Sequence, residues 1–97
     1  MKSRAAVLEL TLYGRTYCHL CDDMKVALEP FRRDFPFVLH EVDVDSEPAL
    51  EDRFGELVPV LMTGSPHTAP ADAQELCHYF LDGAAVRAWL STQMAQG

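Results

Sequence analysis

The sequence predicts one α/β domain, a four-stranded mixed sheet flanked by helices in the order β-α-β-α-β-β-α. Three observations carry this. The chain has 97 residues, 48% of them hydrophobic, which suits a single compact domain spanning residues 1–97. Strand-like and helix-like periodicities alternate through the first half, and a strand–helix–strand unit demands a right-handed crossover and parallel strands. In the second half two short apolar runs follow one another with no helical pattern between them, so they are expected to pair antiparallel.

The first strand is read over Val7 to Tyr13, where Leu8, Leu10 and Leu12 alternate onto one face and Gly14 ends the run. From Cys18 to about Asp34, Leu20, Met24, Ala27, Leu28 and Phe31 recur at helical spacing. Asp22 and Asp23 in its first turn, with Arg32 and Arg33 near its end, suit the helix macrodipole. Pro30 lies inside this pattern and is expected to kink or divide the helix. Phe37 to Val44 alternates as a second strand. Ser46 then reads as the N-cap of a short helix that starts near Pro48, runs through Phe54 and is closed by Gly55. Val58 to Met62 is a short apolar strand with Pro59 near its start, Thr63 to Gln74 a loop, and Glu75 to Leu81 a fourth strand. Asp82 is expected to cap a last helix whose buried stripe is Val86, Trp89, Leu90 and Met94.

The formal net charge of −7 argues against a nucleic-acid groove or an anionic membrane as partner, since both select clustered Lys and Arg. The only adjacent basic pair is Arg32-Arg33. The N-terminal apolar run is short and broken by Glu9 and Thr11, so it reads as a strand and not as a signal peptide. A cytoplasmic, reducing location is expected. Three cysteines make an odd count for a disulfide framework, and closely spaced cysteines in that compartment are more often catalytic or metal-binding.

Two of the three form the stretch "RTYCHLCDDM", Arg15 to Met24, at the first strand-to-helix junction. There the first sulfur meets unpaired N–H groups and the positive end of the macrodipole, which favour a thiolate. The second lies about one turn on, within reach of a mixed disulfide on the first. Cys18 therefore reads as the attacking thiol and Cys21 as the resolving one. Arg15 could reach the sulfur from the loop and His19 adds positive charge when protonated, while Asp22 and Asp23 oppose them. A zinc site wants four ligands and this pair supplies two; Cys77 and His78 alternate across a strand and do not complete it. No metal is expected.

"RTYCHLC" after a strand, "VPV" opening the third strand and the βαβαββα order together resemble the thioredoxin superfamily, and within it the small glutaredoxin-like proteins. The likeness runs from about Val7 to about Met94. It implies a thioredoxin fold and thiol–disulfide oxidoreductase activity. It also implies that Arg15, Tyr17, Val58 and Pro59 bind substrate, with Pro59 cis and facing the CxxC, and His19 between the cysteines is read with them as part of the substrate-binding set. Three departures stand out. His19-Leu20 replaces the usual proline and aromatic between the cysteines. Ala85 and Val86 stand where acidic groups would hold the glutamyl end of glutathione, although Gly83 matches one glycine of that site. Leu12 occupies the place where thioredoxins bury an acid under the resolving thiol.

No cofactor is expected beyond a thiol reductant as co-substrate. Partners are expected to be protein or small-molecule disulfides, with a dithiol reductase as electron donor and glutathione the poorer one, and the chain is expected to be a monomer. Two other classes compete: a metal or iron–sulfur module using Cys18, and a non-catalytic adaptor of the same fold. Cys77 reads as a small core residue, His40, His67 and His78 as structural or solvent-facing, and "HEVDVDSEPALED" as a solvated acidic face.

Overall fold

The computed structural model describes residues 8–96. The expected start of the first strand at Val7 lies outside them. The described chain forms β1 (Leu8–Gly14), α1 (His19–Asp34), β2 (Phe37–Asp43), α2 (Pro48–Phe54), β3 (Val60–Thr63), β4 (Glu75–His78) and α3 (Gly83–Gln96). A 3-10 turn at Val44–Ser46 leads into α2, and another at Pro70–Asp72 precedes β4. The sheet order is β2-β1-β3-β4. β1 and β2 run parallel through the α1 crossover, while β3 is antiparallel to both β1 and β4.

β1 is covered on both faces. Leu10 and Leu12 join Met24 and Leu28 of α1 and Val86 and Leu90 of α3 in one core. On the opposite face Tyr13 joins Val44, Phe54, Val60 and Met62, with Tyr13 stacked on Phe54 at 4.4 Å between ring centroids. The domain is thus three layers: α1 and α3, the sheet, then α2 with its 3-10 turn. Thr11 is fully buried in β1, and its hydroxyl donates to the Gly64 carbonyl at 2.7 Å, so no polar group is left orphaned there.

Several boundaries differ from the sequence expectation. Helix α1 runs undivided through Pro30 to Asp34. The carbonyl that loses its i→i+4 partner belongs to Val26, which is 71% exposed and faces water. Glu47, not Ser46, is the N-cap of α2, and it makes no side-chain cap bond. The Ser46 hydroxyl instead donates back to the Asp43 carbonyl at 2.7 Å, closing the 3-10 turn. β3 begins at Val60 rather than Val58. β4 stops at His78 because Tyr79 takes φ of +64°, which no regular strand accommodates. Its N–H turns instead to the Pro59 carbonyl at 2.9 Å. In α3 the stripe holds at Val86 and Leu90, Trp89 is half-buried, and Met94 is exposed. Leu76 and Cys77 are adjacent yet both join the α1–α3 core. A register shift between Leu61 and Met62, opposite Cys77 and Glu75, breaks the strict alternation of the strand.

Candidate functional site

Cys18 is the N-cap of α1, with extended backbone, and its Sγ accepts the Cys21 N–H at 3.1 Å. A cap position normally holds Ser, Thr, Asp or Asn, whose oxygen takes one of the four free N–H groups of the first turn. Here sulfur does so. Cys18 is half-buried and Cys21 buried, and the two form a disulfide with Cα atoms 5.2 Å apart. Gly14, the last residue of β1, lets the pair sit against the sheet end. A Cβ there would stand 2.8 Å from Cys21 Sγ, closer than packed side chains tolerate.

The residue before the pair, Tyr17, is fully exposed and has φ of +59°. Left-handed backbone at a bulky residue is uncommon and marks a position held by its surroundings. His19 is exposed at the first position of α1. The Val58–Pro59 peptide is cis, Pro59 is fully buried, and Val58 packs on the α2-side core. Antiparallel pairing sets Tyr13 opposite Val60. One step further, Pro59 comes level with Gly14, at the same end of the sheet as Cys21. The second left-handed residue, Tyr79, borders this end as well: its N–H bonds the Pro59 carbonyl and its hydroxyl donates to the Glu56 carbonyl at 2.8 Å. Phe80 beside it is 70% exposed.

The Arg15 side chain departs from expectation. Its guanidinium does not lie free beside the sulfur. Nη1 pairs with Asp45, and Nη2 pairs with Glu51 at 2.7 Å and donates to the Gly55 carbonyl at 2.8 Å. The bonds to Glu51 and Asp45 raise its pKa further. The run read as a solvated acidic face therefore supplies two carboxylates to the site, and Glu41 of the same run pairs with Lys25 at 3.1 Å. A cleft of about 230 Å³ opens beside the disulfide, and Arg15, Thr16, Cys21, Lys25, Glu41 and Asp43 line it. The spacing of Arg15 from Asp45 and Glu51 along the chain carries no local signal, which is why sequence reasoning missed them.

At the start of α3 the Asp82 carboxylate accepts the Ala85 N–H at 3.0 Å, so it is engaged as a cap. His40 pairs with Glu9 and His78 with Glu75, each at 2.8 Å. Among the described residues no group of three or more His, Cys, Asp or Glu side chains is placed to hold a metal ion. No helix among them is long and apolar enough to cross a membrane.

A family model described as Glutaredoxin-like domain (DUF836) matches residues 9–91. Two solved structures are similar over nearly their full lengths. Protein Ne2328 from Nitrosomonas europaea is 32% identical, with 93% of this chain and 99% of that one covered and a TM-score of 0.75. Protein XcR50 from X. campestris is 37% identical, with 86% and 96% covered and a TM-score of 0.62. Trichomonas vaginalis thioredoxin, 19% identical, shares the fold over 88% of this chain and 78% of its own, with a TM-score of 0.57. No curated protein matches the sequence.

Proposed function

The chain belongs to the glutaredoxin-like domain family, within the thioredoxin fold, and on that premise we propose that it is a thiol–disulfide oxidoreductase in which Cys18 attacks and Cys21 resolves. One observation carries the assignment of roles: Cys18 Sγ is the N-cap acceptor of α1 and half-exposed, whereas Cys21 is buried against Gly14. A sulfur that accepts a backbone N–H at a helix N-terminus is better stabilised as an anion than one inside the helix.

In the reduced protein the Cys18 thiolate attacks one sulfur of a substrate disulfide and expels the other as a thiolate, which takes a proton from water. Cys21 then loses its proton and attacks Cys18 Sγ. The Cys18–Cys21 bond forms, the second substrate thiol leaves, and two electrons have passed from the dithiol to the substrate. His19, exposed beside Cys18, favours the thiolate when protonated. The Val58 backbone and the Pro59 ring, at the same sheet end, position the incoming chain, and exposed Tyr17 offers it an apolar contact.

The resting dithiol is restored by a thiol reductant, with no metal or organic cofactor. A protein dithiol is the better donor and glutathione the poorer, because Asp82 is already engaged as a cap and Ala85 and Val86 offer no counter-charge to the glutamyl amine. The substrates are protein or small-molecule disulfides, and the protein works as a monomer in the cytoplasm. The test is insulin-disulfide reduction driven by a thioredoxin-type dithiol system. Cys18→Ser is expected to fall to the uncatalysed rate. Cys21→Ser is expected to keep attacking and to accumulate a mixed disulfide on Cys18, visible by mass. A mixed disulfide that forms on Cys21 in Cys18→Ser, and not on Cys18 in Cys21→Ser, reverses the roles.

A further inference from the structure

Arg15 stands three residues before Cys18 and lines the same cleft as Cys21. A free guanidinium there would hold the carboxylate of an anionic thiol in bidentate fashion. It is not free. Asp45, Glu51 and the Gly55 carbonyl already take its two terminal nitrogens. The other cation of the cleft, Lys25, is held between Glu41 at 3.1 Å and Asp22 at 3.6 Å. With Asp43 also on the wall, five carboxylates surround two cations.

We propose that Asp45 and Glu51 are specificity-determining residues: by filling the Arg15 guanidinium they leave the cleft beside the disulfide net negative, so that it admits neutral or cationic thiols and disfavours anionic ones such as glutathione. The inference rests on the reading of the site as a thiol–disulfide exchanger. It adds a cause to the exclusion of glutathione that is separate from the missing acids on α3. In the reaction concerned, an incoming thiolate attacks Cys18 Sγ, the Cys18–Cys21 bond breaks, and Cys21 leaves as a thiolate that takes a proton from water. A second thiolate attacks the mixed disulfide, releasing the Cys18 thiolate and the disulfide of the small thiol. Two thiols supply the two electrons. The attacking sulfur carries the same charge in every case, so once each rate is divided by that thiolate's rate with a neutral small disulfide, which removes its intrinsic nucleophilicity, a second charged group on the thiol reports the sign of the field.

The experiment reduces the oxidised full chain with mercaptoethanesulfonate, mercaptoethanol and cysteamine at low ionic strength, with rates expressed per thiolate. In the native chain cysteamine is expected to be fastest and the sulfonate slowest. Added salt is expected to narrow the spread, because these interactions cross solvent. Asp45→Asn combined with Glu51→Gln is expected to raise the sulfonate-to-mercaptoethanol rate ratio about fivefold, the scale of two unit charges removed within a screened distance. Adding Arg15→Gln to that pair is expected to cut the gain to about twofold, because two carboxylates and one cation have then been removed. An unchanged ratio in the double variant, a gain that loss of Arg15 does not reduce, or a native charge series that is flat at low salt overturns the proposal. The last of these needs no substitution and so does not depend on the variants folding. If none of the three thiols reduces the Cys18–Cys21 bond, while the insulin assay also shows no turnover, the exchanger reading itself falls with it. Insulin turnover with a flat charge series overturns the specificity proposal alone.

Discussion

Cys18 ends a loop at the open end of the sheet, half-buried, with its sulfur accepting an amide N–H. Cys77 lies inside β4, 8% exposed, in the core that α1 and α3 form with the sheet. The side chains are identical and the settings opposite. At Cys18 the helix start supplies one backbone N–H, that of Cys21, to the sulfur. At Cys77 burial pushes the thiol pKa up; the Asp82 backbone opposes that, while the charges of Asp82 and Glu75 reinforce it. On the proposed reading, what separates the reactive thiol from the inert one is a backbone donor at a helix start against the apolar interior of a strand.

The sharpest way to break this contrast is alkylation of the fully reduced protein at neutral pH. Cys18 is expected to react with iodoacetamide at least about a hundredfold faster than Cys77, which should be modified only as the chain unfolds. Peptide mass analysis of a time course reads the order. Comparable rates at Cys18 and Cys77 would mean that neither the helix terminus nor burial governs reactivity.

The next effect in size concerns the pocket that holds the second sulfur. Gly14 is required by contact: an added Cβ would meet Cys21 Sγ at 2.8 Å and Cys21 Cβ at 3.4 Å. Both atoms belong to Cys21, in the first turn of α1, so they yield little. Gly14→Ala is expected to cost about 1–3 kcal/mol of stability, the usual scale of overpacking, and to slow exchange by displacing Cys21. Urea unfolding of the oxidised protein measures the first. A variant as stable and as active as the native chain would show that the sheet end gives way freely, unlike the core around Cys77.

Much of this arrangement is legible in the sequence, and the reasons are local. Period-2 and period-3.6 patterns mark β1, α1 and β2. The CxxC falls where one period changes to the other, and the family likeness singles out Pro59. What escapes is set by groups far apart in the chain. Arg15 reads as a free cation because nothing near it in sequence is acidic until Asp22, yet the fold brings it to Asp45 and Glu51. The apolar run of β4 continues to Leu81, but the Tyr79 N–H is claimed by Pro59 and the strand ends at His78. Pro30 is a helix breaker by rule, and it is tolerated because the carbonyl it strands faces water. Ser46 is a good cap by type, and its hydroxyl is used by the preceding turn instead.

The smallest effect tests Cys77 by itself. Cys77→Ala removes one buried sulfur and is expected to cost about 1 kcal/mol while leaving insulin reduction unchanged, because no step of the exchange uses it. Its pH dependence has a definite sign. The folded-state pKa of Cys77 lies above its ordinary value of 9.0. Well below that value both folded and unfolded chains keep the proton, and the thiol contributes no pH dependence. Above it the unfolded chain loses the proton first, so the folded state binds more protons and stability falls as pH rises toward the folded pKa. In the oxidised protein Cys18 and Cys21 form the disulfide and do not titrate. Tyr13, whose burial raises its pKa above 10.0, adds a decline of the same sign only at higher pH. Between about pH 8.5 and 10 the loss of stability should therefore be shallower in Cys77→Ala than in the native chain, by urea unfolding at a series of pH values. Parallel curves would mean that Cys77 titrates alike in the folded and unfolded states, and that its place in β4 shields it less than its burial indicates.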